Sequence, residues 1–397
     1  MVQPAPSHPE SLLIQGISEL VTNDPAAGPG LLGIVPKAAV IIQDGHIAWI
    51  GPAASAPAAD TAIDLQDRAV LPGWVDSHTH LIFAQDRVDD FTATVSGTPV
   101  TGNGLQIMVD ATRAAEDPDL LAVARWHRGE MLTGGTTCAE TKTGYGLTVR
   151  DEARLAATAQ TAGFDEITFH GACAIPPEYR KDPDGYLDLV CGPMLDAAAP
   201  LVRWLSVSCD DGLDSAQVRR VLAAGHRKGL GLRVQGNQTG PGSAVMIAVD
   251  TGAAAIDHCN HLTDTDIIAL AGSSTVATLL PAADLHTGQP PAPGRRLIDA
   301  GVSVALASGA DPGASYTSSM NLVVALGVLR CGLTPAEAVH AATAGGARAL
   351  HRTDVGTLTV GARADLHVLN APSHAYLAYR PGMPLTYSVY QHGTRVT

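Results

Sequence analysis

Two histidines that stand two positions apart are the feature of this sequence that most directly suggests chemistry. His78 and His80 follow the apolar segment 69–75, which predicts a β-strand. Side chains at positions i and i+2 of a strand point the same way, so both imidazoles can bind one divalent ion. The chain has 15 histidines, and an isolated pair is therefore weak evidence. Its place directly after a predicted strand makes this pair a candidate metal or acid–base site.

The segments that must position these histidines alternate between strand and helix. Seven further strands are predicted at 136–140, 167–170, 204–209, 231–235, 255–258, 275–280 and 303–307. Helical patterns lie between them at 120–132, 152–162, 215–228 and 335–350. This alternation predicts an α/β fold, a (β/α)8 TIM barrel, with a doubly wound open sheet as the alternative. No predicted strand is followed by a glycine-rich phosphate-binding motif, which favours the barrel.

Polar side chains follow most of these strands, where the mouth of a barrel would lie. Glu140 and Tyr145 lie at the second strand, and Cys173 follows the third. Gln235 and Gln238 close the fifth strand, His258 closes the sixth, and Asp311 follows the eighth. The carboxyl ends of barrel strands meet at one face, so we expect these side chains to surround one pocket.

Both ends of the chain have β character. Segments 38–42 and 46–50 flank Asp44-Gly45, which predicts a hairpin, and strand-like segments recur near the C-terminus around His392-Gly393. We therefore predict a small β-sandwich-like domain built from residues 1–69 and 361–397. Residues 70–360 form the catalytic barrel in this prediction.

The composition excludes several classes of partner. The formal net charge is −14, and no basic run occurs, which argues against nucleic acid and anionic membranes as partners. Residues 1–13 lack the features of a secretory signal, and the six cysteines form no C-x-x-C pair, so we expect a cytoplasmic protein. Arginine outnumbers lysine, which we interpret as a bacterial, GC-rich origin. We expect a small-molecule substrate and a homodimer.

Several segments carry a resemblance to a known family. Residues 71–80 (LPGWVDSHTH) resemble the first barrel strand of the amidohydrolase superfamily. Segments typical of the imidazolonepropionases within it are 83–87 (FAQDR), 140–147 (ETKTGYGL), 176–179 (PPEY), 257–258 (DH), 279–281 (LLP) and 317–319 (TSS). The resemblance covers essentially the whole chain. It implies a TIM barrel and a metal-dependent hydrolysis of the ring C–N bond of 4-imidazolone-5-propanoate.

The resemblance also implies site residues, and the sequence matches only part of that set. His78 and His80 match the metal-binding pair, and Arg87, Tyr145 and His258 match residues that bind substrate. The other two metal ligands of the family are a histidine ending strand five and an aspartate ending strand eight. Those positions hold Gln235 and Gly309, a carboxylate appears two residues on at Asp311, and Cys173 replaces a substrate-binding histidine.

These departures suggest a changed reaction. A zinc site needs three or four N, S or carboxylate ligands, and a neutral amide is a poor substitute. We therefore predict that no cofactor is needed, or that zinc or iron binds weakly through His78 and His80. The predicted enzyme acts on an imidazolone-like polar heterocycle by metal-independent acid–base chemistry, such as isomerisation, cyclisation or dehydration. Its predicted catalytic residues are Asp311, His258, His80 and His78. Its predicted substrate-binding residues are Arg87, Tyr145, Gln235, Gln238, Cys173 and Glu140.

Two alternatives remain open from the sequence. The first is a metal-dependent hydrolase of the imidazolonepropionase type, acting on a cyclic amide C–N bond. The second is a non-catalytic homologue that binds a ligand in the old pocket. Metal content distinguishes the first alternative from the other hypotheses, and turnover distinguishes the second.

Overall fold

Two β-sheets organise the molecule. The computed structural model describes residues 11–99, 104–210 and 212–397. One sheet has seven strands in the order β15-β14-β13-β4-β1-β2-β3, and the other has eight parallel strands in sequence order. The strands of the seven-stranded sheet are β1 (Leu12–Leu20), β2 (Val35–Gln43), β3 (His46–Pro52), β4 (Thr61–Pro72), β13 (Leu366–Leu369), β14 (Thr386–Gln391) and β15 (Thr394–Arg395). The barrel strands are β5 (Trp74–Asp76), β6 (Thr136–Lys142), β7 (Glu166–Phe169), β8 (Trp204–Ser208), β9 (Gly231–Gly236), β10 (Ala255–His258), β11 (Val276–Leu279) and β12 (Val304–Leu306).

Helices connect the barrel strands and cover their outer face. The α-helices are α1 (Val88–Val95), α2 (Gly104–Ala114), α3 (Asp117–Thr133), α4 (Val149–Ala162), α5 (Pro183–Leu189), α6 (Leu195–Ala198), α7 (Ser215–Arg227), α8 (Ala244–Asp250), α9 (Asp264–Ala271), α10 (Pro281–Thr287), α11 (Gly294–Asp299), α12 (Met320–Leu329), α13 (Pro335–His340), α14 (Gly346–Ala349) and α15 (Tyr376–Tyr379). Short 3-10 helices span Ala53–Ser55, Pro177–Tyr179 and Ala199–Leu201, and π-helical turns span Val190–Met194 and Ala341–Gly345. Within the described part of the chain, no helix is both long enough and apolar enough to span a bilayer.

The barrel is nearly closed. The ladder of parallel pairs runs from β5 to β12. Hydrogen bonds from the loop after β12 to β5 and to the loop that follows β5 join its ends. Gly309 N donates to His78 O over 3.0 Å, and Ser308 N donates to Asp76 Oδ1 over 3.1 Å. These contacts draw the loop of the eighth strand against the histidine pair. The structure thus confirms the predicted (β/α)8 barrel with a second β unit from both chain ends.

The segment that enters the barrel differs from the sequence prediction. Residues 69–75 were predicted as one strand, but the chain forms β4 in the seven-stranded sheet and β5 in the barrel, with Gly73 between them. Pro72 has no amide hydrogen to donate, and Gly73 N donates to Asp365 O over 2.9 Å. A Cβ on Gly73 would lie 2.2 Å from Thr137 Oγ1, so only glycine fits here. The proposed domain limits at 69/70 and 360/361 stay a prediction.

Local signals elsewhere correspond to the observed elements. Asp44 and Gly45 both have positive φ, 51° and 75°, as the tight turn between β2 and β3 requires. Thr334 caps α13 with a reciprocal pair of hydrogen bonds to Glu337, and the helix predicted at 335–350 runs on through a π-turn. Residues 1–10, most of the segment 1–13 in which no secretory signal is predicted, lie outside the described residues.

Candidate active site

The histidine pair lies at the mouth of the barrel, in the loop after β5. His78 Nε2 and His80 Nε2 are 3.2 Å apart, and both side chains are buried. Burial lowers the pKa of His80 to about 3, and the charges of Lys142 and His258 act in the same direction. Burial also lowers the pKa of His78 well below its usual value. Both rings are therefore neutral near pH 7 and keep nitrogen lone pairs that can bind a cation or accept a proton.

The buried carboxylate of Asp257 contacts His78 on the side opposite His80. Asp257 Oδ2 lies 2.9 Å from His78 Nδ1, and Asp257 Oδ1 accepts a 3.0 Å hydrogen bond from Arg233 Nη2. All three side chains are almost fully buried. Burial by itself raises the pKa of Asp257. The neighbouring Arg233 and His78 outweigh this effect and hold the pKa well below its ordinary value. The ionised carboxylate favours a proton on His78 Nδ1 and leaves His78 Nε2 as the nitrogen that faces His80.

His258 reaches the same cavity from the end of β10. Its backbone has a positive φ of 84°, and Cys259 follows with 63°, which is uncommon for side chains other than glycine. Such backbone conformations cluster at functional sites, where the surrounding structure holds them in place. The His258 ring lies 5.7 Å from the His78 ring. Burial lowers the pKa of His258. His258 Nδ1 is buried and has no hydrogen-bond partner within the described residues.

Asp311 faces the histidines from the loop after β12. Its Oδ1 accepts hydrogen bonds from Tyr145 OH (3.0 Å) and Gly313 N (2.7 Å). Burial raises the pKa of Asp311, and the bonds from Gly313 and Tyr145 oppose that rise. Burial and the neighbouring Asp311 charge raise the pKa of Tyr145 well above its usual value. Tyr145 therefore keeps its proton and donates a hydrogen bond to the carboxylate.

The remaining predicted substrate-binding side chains surround this centre. Arg87 is bound to Asp90 through Nε and Nη2 at 2.9 and 2.8 Å, and the guanidinium reaches the cavity beside Gly313. Cys173 Sγ donates to Gly144 O over 2.9 Å. These contacts fix the Arg87 and Cys173 side chains at the wall of the cavity.

The two predicted glutamines close another wall of the cavity. Gln235 Nε2 lies 3.3 Å from Ser206 Oγ, and Gln238 N donates to Asp210 Oδ2 over 2.9 Å. The cavity has a volume of about 280 Å³, which suits a small metabolite. Nine of the ten predicted site residues line it, namely His78, His80, Arg87, Tyr145, Cys173, Gln235, Gln238, His258 and Asp311.

Glu140 lies apart from the others. It is fully buried beneath the cavity, where Oε1 accepts from Lys142 Nζ over 2.7 Å and Oε2 accepts from Thr79 N over 3.1 Å. It therefore supports the loop of the histidine pair and does not line the cavity. Its position at a strand end could not distinguish these two placements, because alternate strand residues point to different sides.

His170 lines the cavity but was not among the predicted site residues. It follows β7, its ring lies 5.7 Å from that of His80, and its Nδ1 donates to Ser206 O over 3.1 Å. Burial lowers the pKa of His170 to about 3, and the charges of His80 and Lys142 add to this. A histidine at the end of a predicted strand was the signal that could have identified it.

The donor set provides two good metal ligands that already face each other. Two nitrogens bound to a tetrahedral ion at the usual distance of about 2.0–2.1 Å stand roughly 3.3 Å apart, close to the observed 3.2 Å. The carboxylate behind His78 is the usual partner of a metal-binding histidine. Across the described ranges, no group of three His, Cys, Asp or Glu side chains is placed, as it stands, to hold a metal ion. The residues therefore fit a metal through His78 and His80, with further ligands required.

Comparison with known proteins reveals close relatives over the full length. A family model described as "Amidohydrolase family" matches residues 203–387. The imidazolonepropionase of Saccharopolyspora erythraea is 55% identical over 392 residues, which cover 98% of this chain and 99% of that protein. The imidazolonepropionase of Salinispora arenicola is 54% identical and covers 96% of this chain and 98% of its own length.

Solved structures share the fold at much lower identity. A zinc-bound adenosine deaminase from Xanthomonas campestris superposes with a TM-score of 0.71 at 20% identity, covering 98% of this chain and 93% of its own. A mutant of atrazine chlorohydrolase from Arthrobacter aurescens, in complex with zinc and atraton, has a TM-score of 0.74 at 17% identity. Those alignments cover 97% of this chain and 95% of the chlorohydrolase.

The prediction that the protein needs no cofactor is wrong. The full-length relatives are imidazolonepropionases, and the structural neighbours include zinc-bound enzymes. The prediction counted ligand positions along the chain and gave most weight to Gln235 and Gly309. It could not include the short nitrogen–nitrogen distance between His78 and His80 or the carboxylate behind them, because both depend on the folded barrel.

Proposed function

Because this chain belongs to the imidazolonepropionase family of amidohydrolases, we propose that it is a hydrolase of a small cyclic amide such as 4-imidazolone-5-propanoate. The main support is the identity of 55% to an imidazolonepropionase over nearly the whole of both chains. Water adds across a ring C–N bond in this reaction, and the ring opens. The competing hypothesis of a metal-independent isomerisation, cyclisation or dehydration has no support among the relatives.

The substrate would be held by groups that suit a carboxylate and a polar ring. Arg87 carries the only guanidinium among the side chains that line the cavity in the described part of the chain. A charge-assisted hydrogen bond from Arg87 to the propanoate would place the ring over the histidines. Tyr145, Gln235 and Gln238 supply polar groups for the ring edges, and Cys173 fills space beside Gly144.

His78 and His80 would hold the metal that relatives of this kind use. When bound, a divalent ion acts as a Lewis acid and makes water a better nucleophile. Asp257 supports this role by holding the proton on His78 Nδ1, so that Nε2 is available as a ligand. Arg233 keeps the carboxylate ionised from the opposite side.

Asp311 would move the proton. Its Oδ1 is occupied by Tyr145 and Gly313, so Oδ2 is the oxygen free to accept a proton from the attacking water. The same oxygen can return that proton to the ring nitrogen as the C–N bond breaks. The raised pKa of Asp311 brings the carboxylate closer to the pH at which a general base is most effective. His258 lies opposite and can stabilise negative charge on the substrate oxygen.

The test is direct turnover. Purified protein supplemented with Zn²⁺ is mixed with 4-imidazolone-5-propanoate, and the products are followed by mass spectrometry. We expect consumption of substrate and a product heavier by one water. The Arg87→Met variant should raise KM by about 10- to 100-fold, since it loses a charge-assisted bond. Arg125→Met, at an exposed position of α3, is the matched control and should leave KM unchanged.

Three outcomes would contradict the proposal. A product of unchanged mass would indicate isomerisation, and a product lighter by one water would indicate dehydration. Tight binding of the substrate without turnover, measured by calorimetry on the metal-supplemented protein, would indicate a non-catalytic homologue.

A further inference from the structure

We propose that His170 is a third metal ligand and forms a three-histidine centre with His78 and His80. This inference rests on the proposed function, because it assigns how such a hydrolase would hold its metal. It also accounts for the substitutions at the two other positions where the family resemblance implies ligands. Gln235 offers a neutral amide there, and Gly309 offers no side chain.

The position of His170 is the first argument. His170 is buried at the cavity wall, and its ring lies 5.7 Å from the His80 ring in an edge-on arrangement. Two imidazoles bound to one tetrahedral ion through Nε2 place their ring centres roughly 5 Å apart. The His78 and His80 rings already have this separation, 5.1 Å. His170 would need to approach His80 by roughly 0.5–1 Å to reach this separation.

The tautomer of His170 is the second argument. Ser206 O can only accept a hydrogen bond, so the 3.1 Å contact places the proton on His170 Nδ1. The lone pair is then on Nε2, the nitrogen left to face the cavity. A metal-binding histidine almost always donates its other N–H to a carbonyl or carboxylate, and the contact of His170 with Ser206 O meets this condition. The His170 backbone is held as well, because its N donates to Thr143 Oγ1 over 3.0 Å.

The other histidine of the cavity lacks this support. His258 lies at the same ring distance, 5.7 Å, from His78. However, its Nδ1 is buried without a hydrogen-bond partner within the described residues. Nothing in that part of the chain therefore fixes which His258 nitrogen carries the proton. His170 is consequently the better third ligand, and His258 remains available to contact the substrate.

Cobalt binding tests this assignment without any measurement of turnover. Metal-stripped full-length protein is titrated with Co²⁺, and the dissociation constant is measured from the visible absorption band. We expect His170→Asn to weaken binding by more than about 100-fold, because loss of a mere supporting group already costs about 10–100-fold. His258→Asn should weaken it far less. His127→Asn is the matched control, a buried histidine that contacts Leu81 O outside the cavity, and its affinity should be unchanged.

Two further measurements do not depend on how well His170→Asn folds. X-ray absorption of the Zn²⁺-loaded wild-type protein should count three imidazole ligands. His170→Cys should add a thiolate-to-cobalt band in the near ultraviolet, since cysteine is itself a good ligand. Two imidazoles in the wild-type spectrum, or a loss of affinity in His258→Asn instead of His170→Asn, would overturn the assignment. Hydrolysis by a centre with two imidazoles would leave the proposed function standing, whereas three imidazoles without hydrolysis would refute only that function.

Discussion

At the scale of single residues, the acid–base properties of the cavity depend on how each group is paired. Asp311 is held by Tyr145 and Gly313, and its remaining oxygen can take part in proton transfer. The four cavity histidines are neutral near pH 7 because burial lowers their pKa values. Asp311 is therefore the titrating group most suited to act as the base.

Replacement of Asp311 tests this role through the pH dependence of the rate. Only the ionised carboxylate accepts a proton, and burial raises its pKa, so the rate should rise with pH through that raised value. Asp311→Asn should lower kcat by roughly 10²- to 10⁴-fold and remove the acidic limb of the kcat/KM profile. Asp89→Asn, at an exposed position of α1, is the control and should leave kcat and the acidic limb of the profile unchanged. An unchanged rate and an unchanged acidic limb in Asp311→Asn would contradict the assignment.

Asp284 offers a second pH-dependent test, on stability. Its Oδ1 is buried without a partner within the described residues, and burial raises its pKa to about 6 from an unfolded value near 3.9. The folded state therefore favours the protonated form, and ionisation removes stability as the pH rises from about 4 to about 6. Asp284→Asn should raise the free energy of unfolding by about 1–3 kcal/mol at pH 8 and change it little at pH 4.

Urea denaturation at the two pH values measures this difference. The exposed Asp119→Asn is the control and should change stability little at either pH. Equal effects of Asp284→Asn at both pH values would show that ionisation of this carboxylate does not limit the stability of the fold.

At the scale of structural elements, the loop after β12 is adapted to glycine. Gly309 has a φ of +78°, and a Cβ there would lie 3.0 Å from Leu280 Cδ2. Its amide also donates to His78 O, so the loop and the histidine pair are coupled. An aspartate could therefore be restored at this position only with backbone strain and a shift of Leu280.

Alanine substitutions separate these two costs. Gly309→Ala should lower the free energy of unfolding by about 2 kcal/mol, from backbone strain plus the contact with Leu280. Gly252 is the matched control, since its φ is +64° and a Cβ would meet nothing within 4 Å. Gly252→Ala should cost about 1 kcal/mol from the backbone alone. Equal losses for the two variants, measured by urea denaturation, would show that Leu280 moves without cost.

At the scale of the whole molecule, the seven-stranded sheet is hydrogen-bonded to the barrel at several points. Asn23 Nδ2 donates to Thr343 Oγ1 over 2.7 Å, and Gln391 Nε2 donates to Thr137 O over 2.8 Å. Arg363 Nη2 donates to the same carbonyl over 3.2 Å. These bonds link both ends of the chain to the base of the barrel.

We therefore expect the sheet and the barrel to unfold together. Trp49 lies in β3 of the sheet, and Trp204 lies in β8 of the barrel. In variants whose only remaining tryptophan is Trp49 or Trp204, the urea midpoint from fluorescence should equal the midpoint from circular dichroism of the same variant. Separate midpoints for the two probes would show that the sheet and the barrel are independent units. The expected homodimer stays a prediction, which sedimentation velocity can test.

The sequence by itself determined most of the strands and the place of the site. Strand periodicity, the Asp44-Gly45 turn and the Thr334 cap are short-range signals, and all correspond to elements of the structure. The order of strands and helices then required the strand ends to meet at one mouth, which placed nine candidate residues around one cavity. The family resemblance added the expected fold and reaction.

Only the tertiary structure decided which polar atoms meet. The pairing of Asp257 with His78, the approach of His170 to His80 and the placement of Glu140 beneath the cavity join different strands. Such contacts depend on the tilt and stagger of the barrel strands, which no local pattern along the chain specifies. The same reason explains the error about the cofactor. Ligand positions can be counted in a sequence, whereas the separation of two nitrogens is set only when the barrel closes.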